Sequence, residues 1–237
     1  DIPQFSEAVT PLVLRSSYFT YDSFLKLRDS PPPLAKEIIY PETTLAKFAV
    51  DLGFVNTIAE RDQKVRKEPL IINYSDNYYP SLSLQVAKRY LGITSIEVKI
   101  DPGNAVYLKK ISLPIDNKGK LLINYNSSGP IFKSFSAADI IEEKVDPQEF
   151  KNKIVLVGLT ALMVAPYVKT PLYSGLPTVE KTANVIENII HQRFISSDYS
   201  FQLGLLLIIL IGVFSAFLLP RVALTYRFIL LGVFLFV

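Results

Sequence analysis

Residues 82–91 alternate apolar and polar positions at helical spacing: Leu84, Ala87 and Leu91 fall on one face, with Leu82, Val86 and Tyr90 beside it. Pro80 and Ser81 open this helix, and Gly92 stands where a left-handed residue ends one. A second helix is predicted over SAADIIEEK, 136–144, with Ser136 as N-cap and Asp139 in the first turn, where the helix dipole favours an acid. A third, TANVIENIIHQRFI, 182–195, carries the stripe Ile186, Ile189, Ile190 and Phe194. Strand patterns lie between them. GFVNTIAE, 53–60, and PLIINY, 69–74, read as a hairpin about the charged turn RDQKVRKE, 61–68, whose charges suit a solvated tip. SIEVKI, 95–100, and LLINY, 121–125, are strand-like. KIVLVG, 153–158, is a continuous apolar run, the mark of a strand buried on both faces. It breaks at Gly158 into the apolar loop LTALMVAPYV, 159–168, which ends near Thr170-Pro171. The class predicted is α/β, a mixed sheet with flanking helices.

The tail has another pattern. FQLGLLLIILIGVFSAFLL, 201–219, holds no charge, and at 1.5 Å per residue it covers about 28 Å, close to a bilayer's hydrocarbon core. After Pro220 and Arg221 the chain reaches Arg227 and a second apolar run, FILLGVFLFV, which Val237 cuts short. This predicts a transmembrane helical hairpin over 199–237, its second helix truncated, with more chain expected beyond it. Arg221 and Arg227 in the turn, with no acid nearby, assign that turn to the cytoplasm and the body to the outer face. Three parts are expected: an N-terminal membrane-proximal segment, 1–33; an outer α/β domain, 34–198; and the hairpin. The lipid bilayer is thus the first expected partner.

Charge and composition exclude several chemistries. Two of the 25 basic residues stand in the tail, so the body is near neutral against 22 acidic ones, and no clustered positive field supports nucleic-acid binding. There is no cysteine, hence no disulfide and no thiol catalysis. The single histidine, His191, has no nucleophile-elbow partner, and no zinc spacing or phosphate-cradling glycine loop occurs. Glu142 and Glu143 are adjacent on a helix and point apart. No catalytic residue, metal site or cofactor is expected in the outer domain.

The ordered series GFVN, Val65-Arg66, YPSLSLQVAK, LLINY, KNKIVLVG, Thr170-Pro171 and ANVIENI, followed by apolar helices, resembles the CHASE2 domain over residues 45–237. YDSFLKLRDSPPP, 21–33, resembles the segment where that family leaves its first membrane helix. The resemblance implies an extracytoplasmic sensor in a bacterial cytoplasmic membrane, often followed by an adenylate cyclase or kinase output domain. Two departures stand out. The family has a further strand-rich stretch where this chain has only residues 29–52; a reduced sensor, or a piece missing between Pro33 and Leu34, would account for it. The family also tends to be acidic near Ala165 or Pro166 and to carry Gly and His where Thr178 and Thr182 stand.

The expected function is signal sensing, relayed through helix 182–195 and the membrane helices to an output domain outside this chain. The alternative is a membrane-anchored scaffold subunit that uses the domain for protein contacts. The candidate ligand or partner contacts are Thr160, Met163, Tyr167, Thr170, Glu180 and Asn184, with Asn184 placed to cap or brace the loop. A homodimer or larger membrane assembly is expected, and the ligand is not specified. Burial of Met163, Val164 and Tyr167 against another chain would favour the scaffold.

Overall fold

The computed structural model describes residues 32–39, 41–46, 48–74, 77–94, 97–101, 105–126, 129–161, 163–195 and 198–218. The expectation for 1–33, apart from Pro32 and Pro33, lies outside these residues, as do Arg221, Arg227 and the second apolar run. The chain divides into two compact units, 1–195 and 196–237.

In the first unit a short helix α1 (Thr43–Ala46) precedes the strands β1 (Lys67–Pro69), β2 (Ile71–Tyr74) and β3 (Asn77–Pro80). Helix α2 (Leu82–Tyr90) follows, then β4 (Val98–Asp101), β5 (Ala105–Leu108), β6 (Ile111–Pro114) and β7 (Lys120–Leu122). Helix α3 (Ala137–Ile141), a 3-10 turn (Pro147–Phe150), β8 (Tyr167–Val168), β9 (Leu176–Pro177) and α4 (Thr178–Ile190) complete it.

α2 and α3 begin where their caps predict, whereas α4 starts four residues before and ends five residues before the expected 182–195. The Ser81 hydroxyl accepts from the Leu84 N–H at 3.2 Å, and Gly92 takes the left-handed φ of +67° just past α2. The Ser136 hydroxyl accepts from the Ala138 N–H at 3.3 Å at the start of α3, and Asp139 lies in its first turn. In α4, Val185, Ile186 and Ile189 are buried, with Ile190 and Phe194 packed at the edge. α2 and α4 lie against each other. Leu84 and Ala87 from α2 and Val185 and Ile189 from α4 share one core with Leu70, Val106, Leu108, Leu113 and Leu121 of the strand region.

The sheet is not one mixed sheet but several small antiparallel ones: β1 with β7, β2 with β3, β4-β5-β6, and β8 with β9. Among the described residues, parallel character appears as isolated bridges, Leu34 to Asn73, Phe54 to Ser81 and Lys64 to Lys169. The Pro33 carbonyl accepts from the Asn73 N–H at 3.0 Å and the Ala35 N–H donates to the Asn73 carbonyl at 2.8 Å. Pro33 and Ala35 thus flank one residue, as positions two apart on an extended segment do.

Two strand expectations are corrected. Residues 53–60 form no hairpin with 69–74. β2 pairs with β3, Ile71 opposite Pro80, and β1 pairs with β7, Lys67 opposite Leu122. Phe54 instead reaches the start of α2, its N–H donating to the Pro80 carbonyl at 3.1 Å and its carbonyl accepting from the Leu82 N–H at 2.8 Å, while Glu60 bonds within the charged turn, its N–H donating to the Lys64 carbonyl at 2.9 Å. Gly53 makes this approach possible, since a Cβ there would stand 2.6 Å from the Leu82 backbone. The second correction is KIVLVG. Ile154 and Leu156 are half-buried, but Val155 is exposed and Val157 is 93% exposed. Residues 154–158 belong to no strand. An apolar run reports a preference for cover on both faces, but cover requires neighbouring elements, and among the described residues only one side has them.

The second unit contains α5 (Asp198–Leu218), 21 residues without a charge after Asp198. Its described side chains run from Leu203 to Ala216 and are mostly exposed. No helix among the described residues is long and apolar enough to cross a membrane.

Candidate functional site

α4 buries a face that is half apolar and half polar. Lys181, Asn184 and Asn188 follow one another at spacings of three and four, so they line one side of the helix next to Val185 and Ile189. Lys181 is 1% exposed, and its Nζ lies 2.6 Å from Oε2 of Glu68, itself 2% exposed. The Ser83 hydroxyl donates to the other oxygen of Glu68 at 3.3 Å. Glu68 comes from β1, Ser83 from the first turn of α2 and Lys181 from the first turn of α4, so one buried carboxylate joins three elements.

The electrostatics are those of a closed pair. Burial pushes the Glu68 carboxyl above its ordinary range, while the charge and hydrogen bond of Lys181 and the bond from Ser83 oppose the shift. The Tyr125 phenol is also raised, first by burial and then by the Glu68 charge; its hydroxyl donates to the Val65 carbonyl at 3.0 Å. Removing one member of such a pair is far more damaging than removing both. With both partners covered, the pair has no face open to a substrate. Its chemistry is to fix position.

Further polar bonds hold α4 to residues 124–132. The Asn188 side chain accepts from the Asn124 N–H at 2.9 Å and donates to the Asn124 carbonyl at 3.0 Å, taking the place of a strand partner. Glu187 accepts from the Asn126 amide at 2.7 Å and from Arg193 at 3.2 Å. Glu180 accepts two backbone N–H groups, from Ile131 at 2.7 Å and Phe132 at 3.0 Å.

The six predicted contact residues do not form one site. Glu180 fastens the 131–132 backbone. Asn184 is buried and its amide donates to the Glu180 carbonyl at 2.9 Å, so it bonds its own helix and not the loop. Thr170 closes a tight turn, its hydroxyl donating to the Tyr173 carbonyl at 2.9 Å and accepting from the Tyr173 N–H at 2.8 Å. Thr160 and Tyr167 are brought together: the Tyr167 hydroxyl donates to the Thr160 carbonyl at 2.8 Å and closes the base of the 160–167 loop. Met163 is fully exposed at that loop's tip with φ +69°. Val164 is exposed beside it and Tyr167 is half-buried.

Sequence reasoning missed Glu68, Lys181 and Asn188. Glu68 was read with the solvated turn, and the tip of that turn does behave so: Arg66 donates to Glu60 and Asp62, each at 2.6 Å, on the surface. But Val65 and Glu68 are buried. The available signal was Lys181 and Asn188 interrupting the apolar side of a helix whose other faces offered room for them. Elsewhere, Glu97, Lys99, Tyr107 and Lys109 line an open depression on the β4–β5 surface. Among the described residues no group of three His, Cys, Asp or Glu side chains could hold a metal ion.

The chain matches no curated protein and no solved structure. The sequence model of the CHASE2 domain matches residues 32–218, a range that takes in every element from α1 to α5. By that match the chain belongs to the CHASE2 domain family, a family of extracytoplasmic sensor domains.

Proposed function

We propose that this chain is the sensing part of a membrane-anchored receptor, with residues 34–198 outside the cytoplasmic membrane of a bacterium and the apolar tail as its anchor. α4 is the relay element. The observation that carries this reading is the set of buried polar fixings on α4, headed by Lys181 and Glu68, on the last helix before the apolar tail. A helix held by apolar contact alone can settle gradually; one held by specific paired groups changes position only when those pairs are remade. A ligand or partner that favours one arrangement then shifts the population by its difference in affinity for the two. The output domain, a cyclase or kinase if the family habit holds, lies outside this chain, as does the enzyme activity.

The test uses the receptor with its output domain. Cysteines introduced singly at His191 and Gln192, just past α4, are cross-linked between copies in the membrane. Output activity is expected to change on cross-linking and to return on reduction. Unchanged output at both positions, with cross-linking complete, overturns the relay. The scaffold reading draws on the exposed Met163 and Val164; it predicts a polypeptide that ends without an output domain and co-purifies with fixed envelope partners.

A further inference from the structure

The apolar loop after Gly158 sits in an unusual charge setting. Residues 150–179 contain Lys151, Lys153 and Lys169 and no Asp or Glu. All three lysines are exposed. Between them Leu159, Met163 and Val164 are also exposed. The acids nearest in sequence are engaged: Glu149 with Lys133 at 2.7 Å and Lys153 at 3.6 Å, and Glu180 with two backbone N–H groups. Lys169 donates to Gln63, a neutral partner, at 3.0 Å.

Part of the loop's backbone is bonded internally or to its flanks. The Val164 and Ala165 N–H groups donate to the Ala161 carbonyl at 3.3 and 2.9 Å, the Tyr167 hydroxyl closes the base on Thr160, and the Pro166 carbonyl accepts from the Thr178 N–H at 3.0 Å. A turn that satisfies its own polar groups can present side chains to an apolar medium without stranding its backbone.

We propose that this loop docks on an anionic lipid surface, with Met163, Val164 and Leu159 entering the headgroup boundary and Lys151, Lys153 and Lys169 meeting lipid phosphates. Exposed apolar side chains in a segment whose only charged residues are lysines are the composition of an interfacial membrane contact. A second copy of the chain is the poorer occupant, because self-pairing of this segment brings lysines toward lysines, and the adjoining acid, Glu149, is already engaged by Lys133 and Lys153. The same chain carries the charge-free run 201–219, so a lipid surface is the partner that this polypeptide keeps within reach. The contact goes beyond the relay and does not depend on it.

The chain has no cysteine, which allows a single reporter. The full chain carrying Met163→Cys is labelled with an environment-sensitive dye and placed, one copy per nanodisc, in phosphatidylglycerol-containing or purely phosphatidylcholine bilayers. Lys118→Cys, on an exposed turn, is the aqueous control, and Leu207→Cys reports whether α5 has entered the disc. In the anionic disc the Met163 label is expected to shift to the blue and to be shielded from iodide, while the Lys118 label stays accessible. Replacing Lys151, Lys153 and Lys169 by Gln removes about three surface charges, a loss on the order of a hundredfold in the docked-to-free ratio, so the shift disappears; 1 M salt weakens it. A Met163 label as accessible as that at Lys118 in the anionic disc overturns the docking. A shift at Leu207 without one at Met163 does so while leaving membrane anchoring intact. A shift at Met163 seen only when several copies share a disc assigns the loop to self-association and also overturns the proposal.

Discussion

Glu68 carries the sharpest prediction at the scale of single residues. Its folded-state carboxyl titrates above the ordinary 4.5 because burial disfavours the charge. The folded state therefore holds the proton more firmly than the unfolded one, and the stability this contributes is lost as pH rises from 4.5 through the raised value. Denaturation midpoints measured across that window should fall with pH in the native protein, and the contribution should vanish in Glu68→Leu/Lys181→Met. Glu68→Gln alone strands the Lys181 charge and is expected to cost about 3–5 kcal/mol, whereas the double variant is expected to be near neutral. Equal losses in the single and double variants would refute the pairing. Asp62 behaves oppositely: hydrogen bonds from Arg66 and the Lys64 backbone lower it from 3.8 to about 2. An NMR titration should place it there and return it toward 3.8 in Arg66→Gln. The surface clasp, present above 3.8, opens as pH falls through about 2. The two acids stand six positions apart, and the sequence draws no distinction between them. The partner of Asp62 is four residues away and visible in the chain; that of Glu68 is Lys181, in a different element, and emerges only once β1 and α4 meet.

Elements were legible in proportion to how local their causes are. α2 and α3 announce themselves through Ser81, Gly92 and Ser136, and α4 through its apolar stripe, because caps and helical spacing act over one or two turns. Strands depend on partners, and no periodicity names a partner. PLIINY is divided at Leu70, its Ile71–Tyr74 part pairing with 77–80 and not 53–60, and KIVLVG has the composition of a central strand without the pairing of one. Gly53 is informative here, because it exists to let Phe54 reach the start of α2. Gly53→Ala is expected to cost about 1–3 kcal/mol by forcing Leu82 backbone aside, read as a shift of the denaturation midpoint at unchanged slope. Asn188→Ala removes both bonds to Asn124, for a loss of roughly 1–3 kcal/mol. Amide exchange should then accelerate at Asn124, whose N–H bonds Asn188, more than at Ile123, whose N–H donates to Arg66. Uniform acceleration would mean that Asn188 does not act on this segment specifically.

At the scale of the whole molecule, family membership accounts for the sensor domain, and the relay proposed for α4 carries a prediction of its own. If the fixings of α4 set the signalling state, Glu68→Leu/Lys181→Met should leave the receptor folded and in the membrane yet shift its basal output. An output indistinguishable from native at equal expression would confine the pair to a stabilising role. The candidate site was only partly legible at this scale: Glu180, Thr160 and Tyr167 do make specific bonds, but as fasteners of loops and not as a shared pocket, because side-chain type signals the capacity to bond and not the identity of the mate.

The bond between Lys181 and Glu68 also sets a unit of motion. Two opposite charges in contact in a covered space permit no half-step, since sliding α4 by one helical rise of about 1.5 Å would separate them without admitting water to either. Either β1 travels with α4, or the helix clicks to a new register where other groups receive the lysine. The device is indexed like a keyed shaft. On the proposed relay, a stimulus too weak to withdraw the key would produce no proportionate response, and that one contact would set the threshold.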